Sequence, residues 1–139
     1  MPAGFNFVFN DYGAPSHRIS SIMATNAEAF TDGEAVKLAS GRWTKATNGA
    51  NIAGFANQTL AAGTNQYLDV VLAREGDWFE APYTGTPDVA FVVGCEVADV
   101  ATDGMSVLAS DVTGGPFSVL EVNTVKATCK IKVKKRVFS

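Results

Sequence analysis

Few side chains in this 139-residue chain are of a type that does chemistry, and they are scattered along it. The single histidine, His17, lies in an irregular stretch with no G-x-S-x-G nucleophile elbow anywhere in the chain. A Ser–His–Asp set need not be contiguous, but a lone histidine without a paired nucleophile reads as an ordinary hydrogen-bonded residue. Two cysteines, Cys95 and Cys129, are too few for a disulfide framework or a thiolate zinc site, and neither sits in a C-x-x-C. They read as reduced core residues or as one bridge. Glu75, Asp77 and Glu80 flank Trp78, a pattern that in a glycosidase would supply paired carboxylates and a stacking platform. Hairpin-tip charge is the simpler account. Asp99 and Asp103-Gly104 suggest a calcium loop, but an EF-hand needs oxygens at alternate positions and a later Glu; Asp103-Gly104 reads as a turn. The glycines are single and follow turn logic, so no phosphate loop is present. The expectation is a chain with no catalytic residue, no cofactor and no metal.

Binding is better represented than catalysis. Phe5, Phe7 and Phe9 alternate, which places three rings on one side of an extended segment, and Tyr12 follows. Such a stripe is buried either in the chain's own core or on a partner. At the other end Lys130, Lys132 and Lys134 alternate with Cys129, Ile131 and Val133, so one face is apolar and the other charged. The lysines read as edge protection, a solvated face or a docking face. Phe5, Phe7, Phe9, Tyr12, Lys130, Lys132 and Lys134 are therefore the candidate partner-binding residues.

The elements that would position them are strands. Residues 16–31 match neither template well. From Asp32-Gly33 onward short β-prone runs alternate with turns. Ala35–Leu38 and Arg42–Ala46 flank Ser40-Gly41 as a hairpin. Ile52–Ala56 forms a third strand in which Gly54 marks a bulge or close backbone approach. Tyr67–Leu72 and Trp78–Ala81 read as a second hairpin. Val89–Val93 is a continuous apolar run, the pattern of a strand buried on both faces. Cys95–Val100, Met105–Leu108, Phe117–Val122 and Thr128–Val133 complete the set. Turn signals at short intervals, with no helical intervals between strands, predict an all-β fold: a small β-barrel or β-sandwich with an extended N-terminal arm. Residues 1–31 form the arm and 32–139 the body.

Composition agrees with this. Charged residues make up only 18%, below the usual level, which leaves neutral surface for partners to cover. Residues 126–139 hold six of the eleven basic residues and no acid, leaving five bases against fourteen acids in the body. That asymmetry suggests oriented docking, or neutralisation of the tail by the body's own acids. The basic tail lacks interleaved aromatics and the pI is near 5.0, which argues against nucleic acid. The start, MPAGFNFVFND, has no basic n-region, and no apolar run reaches spanning length, so neither a signal peptide nor a membrane segment is expected.

The run 29–58, with DGEAVKL, a short return strand and ANIAGFAN, resembles the capsid decoration (cement) proteins of tailed bacteriophages. The later REGDWFEAPYTGT is similar to a strand–turn–strand passage in such proteins. The resemblance spans roughly 29–125 and does not extend to the basic C-terminal strand. It implies a small β-barrel or sandwich with a terminal arm, homo-oligomeric as a dimer or trimer. The major capsid protein would be its partner, and its place the virion capsid surface after synthesis in the host cytoplasm. It implies no catalytic residue. The alternative function is a carbohydrate-binding, host-adhesion sandwich using Trp43, Trp78 and Tyr83 as platforms.

Overall fold

The computed structural model describes residues 3–138; those residues form eleven strands and no helix. In chain order these are β1 (Asn6–Asn10), β2 (Arg18–Ile19), β3 (Ala35–Ala39), β4 (Arg42–Lys45), β5 (Gly54–Ala56) and β6 (Val70–Leu72). They continue with β7 (Asp77–Thr84), β8 (Asp99–Val100), β9 (Val107–Leu108), β10 (Phe117–Asn123) and β11 (Thr128–Val133). Two sheets result, one of six strands that curls and one of five. The fold is all-β, as the turn-punctuated sequence predicts.

The six-stranded sheet is organised around β7, the longest strand. β11 lies along one side of it, pairing Lys130 with Glu80 and Ile131 with Phe79. β1 lies along the other side, pairing Phe7 with Phe79. Beyond β1, Tyr83 and Thr84 of β7 pair in parallel with β9. β10 flanks β11, so β11 is an interior strand. Its lysines line the sheet's outer face and do not guard an edge.

The five-stranded sheet runs β2-β6-β5-β3-β4. Its β3–β4 hairpin turns through Ser40 and Gly41, whose φ angles of 50° and 77° are those of a two-residue I′ turn. Glycine is required in β5: a Cβ on Gly54 would clash with the Val71 carbonyl and lie 2.8 Å from Val70 Cγ1. β6 and β7 do not pair, contrary to the hairpin expected from 67–81. They belong to different sheets, because β6 is taken up by β2 and β5.

Two cores follow from this. Phe55 and Ala35 of the smaller sheet, with Ile52 just ahead of β5, pack against Phe79, Ile131, Phe117 and Val119 of the larger. The opposite face of the smaller sheet carries Val36, Trp43, Ala53, Val70 and Leu72. Irregular chain covers it through Ala24, Phe30 and Leu68. That explains the patternless stretch 16–31: it is a cover with a few anchoring apolar residues, and needs no period.

The expected division at residue 31 is therefore not a packing boundary. Phe5 lies in the inter-sheet core, β1 and β2 belong to the two sheets, and Phe30 is buried in the second core. Burying these apolar groups stabilises the N-terminal segment on its own body, where an isolated arm would leave them wet.

Candidate functional site

The aromatic stripe is split by one extra residue. Phe7 faces Phe79 across β1–β7, and Phe9 faces Trp78, so Val8 is an unmatched residue at a β-bulge. Side chains alternate between faces, and a bulge shifts that alternation by one. Phe7 therefore stays on the inner face, with its ring edge-on to Phe79 at 5.9 Å. Phe9 swings to the outer face and stacks on Trp78 at 4.7 Å. Phe5, ahead of the strand, stacks on Phe55 at 4.5 Å and is only 3% exposed.

The outer face gathers Phe9, Trp78, Glu80, Lys130 and Lys132 from three adjacent strands. Asp11, just after β1, accepts a hydrogen bond from Trp78 Nε1 at 2.8 Å and pairs with the Lys132 ammonium. That ammonium also sits 5.7 Å from the Trp78 ring, a cation–π placement. The hydrogen bond from Lys132, and then that from Trp78, holds the Asp11 carboxyl below its ordinary value. Tyr12 lies beside Asp11 and is 79% exposed.

The basic strand is neutralised internally. Lys130 pairs with Glu121 at 3.4 Å, and Lys134 with Glu96 at 3.1 Å. Of the seven expected binding residues, Phe9, Lys130 and Lys132 share the outer face and Tyr12 stands at its margin. Phe5 is core, Phe7 faces inward, and Lys134 is tied to the segment carrying Glu96.

A second surface contradicts its sequence reading. Val89–Val93 is not a buried strand. It forms local turns, with Phe91 N–H donating to the Asp88 carbonyl and Cys95 N–H to that of Val92. Val89 is 95% exposed, Val92 54% and Val93 64%. Only Phe91 turns inward, with its ring 5.1 Å from that of Tyr83. The backbone is also anchored: Gly94 N–H donates to Val119 O, and Val119 N–H to Cys95 O at 2.7 Å. That pairing occupies the edge of β10, so no free strand edge remains there to receive 89–93. Between Thr84 and Cys95 the only charged residue is Asp88. The result is an apolar loop anchored to the body and facing water. The apolar run was visible in the sequence, but its exposure was not.

The remaining chemical candidates are placed as follows. Asp77 points inward, accepting from Asn10 Nδ2 at 2.8 Å and from Arg74 Nε at 3.1 Å, whereas Glu80 is on the outer face. The two cannot act on one sugar. Asp99 is buried and accepts from the Gly49 and Val100 N–H groups, while Asp103 accepts from Met105 N–H in a turn. Both cysteines are free thiols; burial, with a smaller contribution from Glu80, pushes Cys129 up to about 12. Trp43 is fully buried, Tyr83 packs on Phe91, and Trp78 is covered by Phe9. The three aromatics proposed as a carbohydrate platform thus do not form one. Among the described residues no three His, Cys, Asp or Glu side chains gather as a metal set.

Comparison with protein families, curated proteins and solved structures finds no match to this chain.

Proposed function

We propose that the protein is a structural virion component that binds the outer surface of a tailed-phage capsid and stabilises it, acting as a dimer or trimer. The observation that carries this reading is the anchored, nearly uncharged valine loop, which the body holds toward solvent. The aromatic and mixed-charge face around Phe9, Trp78 and Lys132 supports it as a second contact. Several shallow contacts engaged together give avidity beyond any one of them. Paired charges beside apolar anchors favour orientation and rate of docking more than raw affinity.

The test mixes the purified protein with expanded shells of the phage that encodes it. Expected are co-sedimentation and a raised shell disruption temperature. A shell that retains none of the protein overturns the reading.

A further inference from the structure

The two sheets part between the outer edges of β1 and β2. A cleft of about 390 Å³ opens there. Asn6 and Phe7 of β1, Arg18 of β2, and Ser16, Asp32 and Asn57 from the flanking loops line it, over the buried rings of Phe55 and Phe79. Among the described residues, Asn6–Phe9 make backbone hydrogen bonds only to β7, and Arg18 and Ile19 only to β6. Both edges bordering the cleft therefore present unpaired N–H and C=O groups, the template for an added strand.

The charge at the cleft selects among strands. Arg18 is committed to Asp69 at 3.3 Å, and Asn57 Nδ2 donates to the same carboxylate at 2.9 Å. Asp32 has its backbone N–H bound to Thr59 Oγ1, but its carboxylate has no hydrogen-bond or ion-pair partner among the described residues. One negative charge is thus left over in a cleft walled by amides and a hydroxyl, with the Phe7 ring alongside.

We infer that this cleft is a strand-acceptor site for an extended peptide carrying a lysine or arginine. The peptide backbone pairs with the free edge of β1, and the basic side chain enters the cleft to meet Asp32. The site is separate from the valine loop and from the Phe9–Trp78 face, and does not depend on the capsid reading.

The experiment pans a library of random heptapeptides against the immobilised full-length chain. Expected is enrichment of β-prone peptides with a central Lys or Arg. A selected peptide, titrated into labelled protein, shifts the amides of Asn6–Val8 and Arg18–Ile19. Asp32→Asn, an exposed substitution, weakens it about twofold to fivefold, the worth of a solvent-exposed ion pair. N-methylation of the peptide at alternate backbone nitrogens abolishes binding without touching the protein's fold. No enrichment, enrichment of acidic peptides, shifts confined to other strands, or an N-methylated peptide that binds equally well would each overturn the inference.

Discussion

Phe9 lies over Trp78 with ring centroids 4.7 Å apart, while Phe7, two residues earlier, meets Phe79 on the opposite face of the same strand pair. One bulged residue, Val8, separates an aromatic that serves the core from one that serves the surface. The three phenylalanines should therefore differ in their contribution to stability. Phe5→Ala is expected to cost about 3–5 kcal/mol, the range for a buried ring. Phe9→Ala should cost about 0.5–1.5 kcal/mol, the worth of an aromatic pair. Urea unfolding of the two variants decides this; equal small losses would mean that the N-terminal segment is not part of the body.

The valine loop should separate binding from folding. Val92→Glu with Val93→Glu places charge on solvent-exposed positions, so stability should change by no more than about 0.5 kcal/mol per site. Retention on phage shells should be lost. Phe91→Ala should instead lower stability by about 3–5 kcal/mol, because it removes the anchoring ring. A Val92/Val93 variant that still co-sediments would remove this loop from the contact.

Asp11 couples the outer face to pH. Its folded pKa lies below the ordinary 3.8, so its contribution is complete above that value and is lost as the pH falls through the folded value. Asp11→Asn should give a shallower acid-side loss of stability than wild type. High salt should diminish the difference, since the pair is solvent-exposed. Urea midpoints collected across the acid range test it, and parallel curves would exclude the coupling.

Cys129 predicts an effect at the alkaline end. Its thiol ionises near 9.0 when unfolded but is pushed up to about 12 in the fold. Between those values the unfolded chain sheds a proton that the folded chain keeps, so stability falls as pH rises. Cys129→Ala should flatten that decline. In the native protein at neutral pH, Cys129 should stay inert to thiol reagents until the chain unfolds.

Gly54→Ala tests the contact between β5 and β6. The added methyl meets the Val71 carbonyl and Val70 Cγ1, both on the neighbouring strand. The loss should be about 1–3 kcal/mol or more, the cost of overpacking. A neutral Gly54→Ala in thermal unfolding would mean that the two strands sit farther apart.

The sequence by itself determined the class of fold and several of its parts, because those depend on neighbours along the chain. The turn at Ser40-Gly41 and the two faces of Thr128–Val133 are local matters of φ, side-chain alternation and turn chemistry, whereas Gly54 reads equally as a bulge or a close approach until its place against Val71 and Leu72 decides for the second. Lys130 and Lys132 were legible as sharing one face of their strand by that same alternation. Only the tertiary structure decided which strands share a sheet, so that β6 and β7 part company and β11 lies inside its sheet. It alone placed the bulge at Val8 that reverses Phe9, and it left Val89, Val92 and Val93 bare while turning Phe91 inward. An apolar run shows that a segment tolerates burial; whether another element is free to cover it is settled by long-range pairing, which no local pattern encodes.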